Sequence, residues 1–186
     1  MKQDFDAVLG RAAKLADKAA VEQALDRMAQ EIGRELADRD PLVLAVMLGG
    51  LVPTAWLLQR LAFPLQLDYV HATRYRGGTR GGPAIDWIAR PRAPLAGRVV
   101  LVVDDILDEG HTLAAILADC RARGALEVRS AVLVEKMHQR RVAGLQADYT
   151  GLRVEDRYLF GCGMDYHEHH RQHAAIYALA GEDDRG

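Results

Sequence analysis

The stretch Val99-Val-Leu-Val-Val-Asp-Asp-Ile-Leu-Asp-Glu-Gly-His-Thr-Leu113 opens with five aliphatic residues and then turns acidic and polar. A wholly apolar, β-branched run of this kind suits a central strand covered on both faces. Asp104 and Asp105 stand where that strand is expected to end. Adjacent strand residues point to opposite faces, so one acid can reach a ligand while its neighbour orients water, a metal or a second hydroxyl. Asp108, Glu109, Gly110, His111 and Thr112 then form a short loop before a helix. Unpaired N–H groups and the helix dipole favour an anion at such a place. A phosphate fits there, with the Thr112 hydroxyl as a further donor. Taken alone, the same residues also describe a solubilising strand end followed by an N-cap.

Upstream, Val21, Leu25, Met28, Ile32 and Leu36 recur at helical spacing and mark one buried helix face. Leu42 to Leu48 is an uninterrupted apolar run ended by Gly49 and Gly50, and a helix is expected over Pro53 to Leu61. Leu65 to Thr73 reads as a second strand. The segment Arg76 to Pro83, with four glycines, reads as a mobile loop. Extended character resumes over Ala84 to Ala89, and Pro91 and Pro94 break it. Downstream, helical spacing returns at Leu113, Ile116 and Leu117, and Val128 to Val134 supplies another buried strand. Strands alternating with helices imply an α/β fold with a doubly wound, mostly parallel sheet, whose ligands sit beyond the carboxyl ends of the strands. The polar tail Gly181 to Gly186 is expected to fray.

With 186 residues, 49% of them hydrophobic and 27% charged, the chain suits one soluble domain with its own core. No apolar run approaches the roughly 20 residues that span a bilayer, and Met1-Lys-Gln-Asp4 lacks the layout of a signal peptide. A cytoplasmic location without membrane association is therefore expected. The 24 basic and 26 acidic residues leave a net charge of −2, which provides no general field for nucleic acid. Cys120, in an expected helix, and Cys162, in an expected strand, form neither a disulfide framework nor a CxxC metal knuckle. His167-Glu-His-His-Arg171 is not HExxH, because Arg171 holds the second histidine's place. With His173 it is expected to be a solvated polar segment beside the active site.

The string from Val99 to Leu113 resembles the phosphoribosyl-diphosphate (PRPP) loop of type I phosphoribosyltransferases. Lys136, placed after a strand, and the run Asp156-Arg-Tyr-Leu-Phe-Gly-Cys-Gly-Met-Asp-Tyr166 followed by Arg171 resemble the later signature of the hypoxanthine-guanine branch. Order and spacing agree from about residue 42 to 179. The resemblance implies a core over about 40–150, a small hood from the N-terminal helices and about 151–180, and a lid over about 74–86. It implies that Asp104 and Asp105 face the ribose hydroxyls and the metal shell, and that Asp108 lies near purine N7 as general acid/base. The backbone from Asp108 through Glu109, Gly110 and His111 to Thr112 would cradle the 5′-phosphate. Lys136 would hydrogen-bond the 6-oxo group, Tyr158 would stack on the purine and the Leu159 backbone would read its edge. Asp165 would hold Mg2+, and Arg171 would bind pyrophosphate.

Met47-Leu-Gly-Gly50 matches the family's pyrophosphate loop, where glycine lets a backbone approach an anion. Leu48 stands where many relatives have a basic residue, so the loop around Leu48 and Gly49 must work through its amides. Gly49 to Pro53 is similar to the xanthine-guanine branch. Tyr75, at the start of the glycine-rich lid, matches the family where Arg74 does not.

The chemistry asks for such residues independently. Breaking the anomeric bond builds positive charge on ribose and negative charge on pyrophosphate, which calls for a metal and fixed cations. Mg2+ prefers oxygen ligands and suits carboxylates beside phosphates. A lysine only donates, which favours a 6-oxo over a 6-amino purine. The resemblance therefore implies purine salvage from PRPP and hypoxanthine or guanine, giving IMP or GMP and pyrophosphate, in a homodimer or homotetramer. The alternatives are an enzyme that accepts xanthine and a regulator of the same fold that binds RNA. The latter needs a basic face that the balanced charge does not supply.

Overall fold

The computed structural model describes residues 5–74 and 85–181. Its elements run α1 (Phe5–Arg11), β1 (Ala13–Ala16), α2 (Lys18–Leu36), β2 (Leu42–Met47), α3 (Leu51–Leu58), β3 (Gln66–Arg74), β4 (Ile85–Ala89), β5 (Val99–Leu107), α4 (His111–Ala122), β6 (Glu127–Met137), β7 (Tyr149–Glu155), β8 (Leu159–Phe160) and β9 (Ile176–Ala178). Six strands form the main sheet in the order β4-β3-β2-β5-β6-β7. All pairs are parallel except β4 against β3. The chain steps from β2 to β3 in one direction and from β5 to β6 in the other. The strand order therefore reverses between β2 and β5, and a crevice opens there beyond their carboxyl ends.

Both faces of β5 are covered, which is why its first five residues are all aliphatic. Val99, Leu101 and Val103 pack with Val21, Leu25, Met28, Ile32 and Leu36 of α2 and Leu57 of α3. Val100 and Val102 face the other way, into Leu113, Ile116, Leu117 and Cys120 of α4. Each such side chain contributes about 1.5–3 kcal/mol by burial. Asp17 caps α2, its carboxylate accepting the Ala20 N–H at 2.9 Å.

A second, antiparallel sheet, β1-β9-β8, joins the two ends of the described chain. Val8, Phe160, Tyr166 and Leu179 give it a small core of its own. Leu159, Cys162 and Ile176 join it to the α2 cluster, which fixes this hood against the main sheet. The main sheet continues through β7 to Glu155, and α2 lies on its face.

Several boundaries differ from those expected. The strand at Val99 does not end before the aspartates: β5 runs to Leu107, because Asp104, Ile106 and Leu107 keep pairing with Val132, Val134 and Glu135 of β6. By the same pairing with β7, β6 runs to Met137, so Lys136 is a strand residue rather than one that follows a strand. Thr112 lies in the first turn of α4, not in the preceding loop. Cys162 sits in a buried turn with φ 52°, not in a strand. The helix expected over 53–61 spans Leu51–Leu58, with Pro53 in its first turn, where a missing N–H costs nothing. Tyr75 and the lid segment 75–84 lie outside the described residues. Among the described residues, no helix is long and apolar enough to cross a membrane.

Candidate active site

Two cavities share a wall at the crevice. One, of about 260 Å³, lies between the end of β2 and the start of α4, lined by Gly49, Arg74, Asp104, Asp105, residues 108–113 and Arg171. The other, of about 220 Å³, lies between the main sheet and the hood, lined by Asp108, Lys136, Tyr158, Leu159 and Asp165. Asp105, Ile106 and Asp108 border both.

The first cavity is a cradle of backbone. Gly110, at φ 83°, caps α4 without any side-chain hydrogen bond to the helix start. The opening N–H groups of the helix are thus left for an anion. Only glycine fits at 110, since a Cβ there would meet Leu145 in a backbone conformation that L residues avoid. Across the cavity, a Cβ on Gly49 would run into the Asp105 carboxylate, so glycine lets the β2 loop close on β5. Leu48, whose peptide bond with Met47 is cis, is 55% exposed and lines neither cavity.

The acids of this cavity are unusual. Asp104 and Asp105 are buried, both border the first cavity, and of the two Asp105 also borders the second. The Asp105 N–H donates to Asp104 Oδ1 at 2.9 Å. Burial pushes both carboxyls above the usual carboxylate range, and the charge of Asp105 pushes Asp104 further. Glu109 stands at the rim of the cradle, 2.8 Å from Arg74, 3.6 Å from His111 Nε2 and 3.9 Å from Arg140.

In the second cavity, Lys136 Nζ donates to Asp108 Oδ2 at 2.8 Å, and His138 Nε2 lies 2.7 Å from Asp108 Oδ1. Burial alone would raise the Asp108 carboxyl, but Lys136 and then His138 outweigh it and hold it below its ordinary range. Lys136 also lies 3.8 Å from Asp156. Tyr158 stands at the mouth, 41% exposed, with its ring edge-on to Tyr166 at 6.0 Å. Leu159 is buried in the wall as the first residue of β8.

Arg171 reaches back to this junction. Its guanidinium donates to Asp165 at 2.7 Å and to the Gly163 carbonyl at 2.7 Å, and Asp165 also accepts the Glu168 N–H at 2.8 Å. The expected metal ligand and the expected pyrophosphate cation are therefore paired with each other. Asp104, Asp105 and Asp165 offer only hard oxygen donors, and each carboxylate has more lone pairs than these bonds use. That donor set fits Mg2+.

His138, Arg140 and Asp156 also stand around these side chains, without a role that any motif in the sequence assigns them. The signal for His138 is its place two residues after Lys136, which continues the two-residue alternation of β6 one step past its end at Met137. The histidine run keeps its expected exposure at His167, Glu168 and His169 but not at His170. His170 is buried, its ring bonded to His173 at 2.9 Å and to the Phe5 carbonyl at 3.0 Å, and positive φ at His167, Glu168 and His170 makes the segment a series of turns. His170 and His173 tie α1 to the loop that carries Arg171, while His167, Glu168 and His169 face solvent.

Residues 12–167 match the model of the phosphoribosyl transferase domain family. The chain is 34% identical over 154 residues to the bifunctional protein TilS/HprT of Listeria innocua, covering 81% of this chain and only 24% of that protein. It is 28% identical to the hypoxanthine-guanine phosphoribosyltransferase of Bacillus subtilis, covering 92% of this chain and 91% of the relative. Among solved structures it is similar to a hypoxanthine-guanine-xanthine phosphoribosyltransferase, with TM-score 0.81 and 26% identity over 90% of this chain and 96% of the other. The fold also matches a hypoxanthine phosphoribosyltransferase from Staphylococcus aureus at TM-score 0.88, 22% identity, and 97% and 98% coverage.

Proposed function

This chain belongs to the phosphoribosyl transferase domain family, and on that footing we propose that it transfers the 5-phosphoribosyl group of PRPP to N9 of hypoxanthine or guanine, giving IMP or GMP and pyrophosphate. One observation carries the reading. Lys136 and Asp108 stand 2.8 Å apart on one wall of the inner cavity, and a 6-oxopurine presents its 6-oxo group and N7 side by side on one edge. Lysine can only donate, which suits the oxo group and disfavours the amino group of adenine.

The rest of the cleft follows from this pose. The Tyr158 ring offers a face for the base. Asp108 takes the proton from N7, whose bonding pair stays in the ring, while the N9 lone pair attacks the anomeric carbon. The C–O bond to pyrophosphate breaks with its pair leaving on oxygen. Asp104 and Asp105 face the ribose, on which positive charge develops. The uncapped start of α4 and the Thr112 hydroxyl receive the 5′-phosphate, and Arg171 with the Gly49 loop receives pyrophosphate. Mg2+, held by Asp165 with Asp104 and Asp105, would neutralise the charge that builds on the leaving group.

Xanthine is the second reading, supported by the relative from Tritrichomonas foetus named for all three bases, 28% identical over 86% of this chain. A cytoplasmic location is part of the proposal, because a substrate as charged as PRPP does not cross a bilayer unaided. The groove beside α3 and β3, where Leu51, Leu67 and Tyr69 are about half exposed, supports a homodimer or homotetramer. The test of function is pyrophosphate release from PRPP with Mg2+ and hypoxanthine, with IMP identified by mass. Absence of both products would overturn the proposal.

A further inference from the structure

His138 follows the last residue of β6, and its side chain is only 5% exposed. Both ring nitrogens are engaged. The Arg140 backbone N–H donates to Nδ1 at 3.1 Å, and Nε2 lies 2.7 Å from Asp108 Oδ1. A nitrogen that accepts carries no proton, so the proton of the neutral ring is on Nε2, which donates to Asp108. The carboxylate is thus gripped at one oxygen by a ring and at the other by Lys136.

From this geometry we infer that His138 is a positioning residue of the transfer reaction, fixing the plane of the Asp108 carboxylate so that a lone pair faces purine N7. The inference rests on the proposed function. Lysine alone does not supply this orientation, because an ammonium on a flexible stem acts as a point charge. Donors on both oxygens stop the carboxylate from turning about its own axis. When Lys136 turns an N–H to the 6-oxo group, the His138 bond stays in place. Asp108, His138 and Asp156 bring ligand atoms within 4.8 Å of one another, but the Lys136 ammonium, 2.8 Å from Asp108 and 3.8 Å from Asp156, already supplies the positive charge there.

Among the described residues, the charged groups around Asp108 include Lys136, His138, Asp156, Arg140, Asp105 across the cavity, and Arg141, whose Nε donates to the Asp108 carbonyl at 3.4 Å. Of these, Lys136 and His138 bond the carboxylate itself and hold its proton affinity down. Loss of His138 therefore raises that affinity and frees the carboxylate to rotate.

The test uses the full chain with His138→Leu and His138→Gln, the latter keeping an N–H donor within reach of Asp108. His138→Leu is expected to lower kcat about tenfold, the size expected for one hydrogen bond to a charged group. KM for PRPP should stay unchanged and the acidic limb of the pH profile should move upward. His138→Gln should recover most of the rate. A folded His138→Leu with unaltered kcat and pH profile overturns the inference, as does a Gln variant no better than Leu. Should the Leu variant not fold, His138→Asn, whose shorter amide does not reach Asp108, replaces it. Wild-type turnover tests the function separately. The ¹⁵N NMR spectrum of the wild type tests the contact without any turnover: a ring protonated on Nε2 that responds to Asp108→Asn supports it, and a ring protonated on Nδ1 overturns it.

Discussion

At the purine end of the cleft Lys136 and His138 grip the two oxygens of Asp108 at 2.8 and 2.7 Å, whereas at the anion end Asp165 and Glu109 grip Arg171 and Arg74 at 2.7 and 2.8 Å. The distances match and the consequences differ. In the first case the bonds hold the carboxylate ionised, and in the proposed reaction they hold it in the geometry that proton transfer uses. In the second, the chain's own carboxylates occupy cations that the phosphates of the proposed substrate would take up, so that binding would be an exchange of partners. On the proposed function, the purine end would be prepared for chemistry, and the anion end for capture and release.

Asp108→Asn should give the largest effect, lowering kcat by about 10²–10³-fold as loss of a general acid/base does. PRPP affinity measured by calorimetry should hardly change. Equal loss in both quantities would remove the distinction between the two ends. Arg171→Ala should act the other way, weakening PRPP by about 10–100-fold through loss of charge-assisted bonds, with kcat at saturating PRPP less affected. A pure kcat defect would place Arg171 with the chemistry instead.

The smaller effects probe the exchange itself. Glu109→Gln removes a competing carboxylate from the rim of the cradle and should tighten PRPP about two- to fivefold, an exposed ion pair being worth no more. Unchanged or weaker binding would make Glu109 a support of the loop rather than a competitor. Burial, then His170, lowers the His173 pKa, so the unfolded state binds the proton more readily. That stability is fully present above the ordinary histidine range and is lost as pH falls through the folded value. The melting temperature should drop between pH 8 and 5.5, and His173→Gln should flatten the slope. Since these histidines tie Phe5 to the loop of Arg171, KM for PRPP should rise over the same interval. Asp108, held below the ordinary carboxylate range, stays ionised throughout.

The part of this molecule that was legible in its sequence is the part with a strong repeat. The face Val21, Leu25, Met28, Ile32 and Leu36 is buried as a unit, and the run at Val99 is apolar because both faces of β5 are covered. What hid the strand through Asp104 and Asp105 is that pairing with β6 outweighs the poor strand propensity of aspartate. The hood sheet was hidden for another reason. Its strands span four, two and three residues and join segments from the two ends of the chain, so no local period reveals them. In the cleft, motif positions such as Asp108, Lys136 and Asp165 could be named from sequence. Their mutual pairing could not, since it depends on how β5, β6 and the hood meet.

The proposed role of Lys136 beside Asp108 is to select a 6-oxopurine for phosphoribosyl transfer. It is tested most directly by measuring pyrophosphate release with hypoxanthine, guanine, xanthine and adenine in parallel, at one PRPP and Mg2+ concentration. Turnover of hypoxanthine and guanine, with adenine inert, is the predicted result. Adenine turned over as fast as hypoxanthine, or no release with any base, would contradict it.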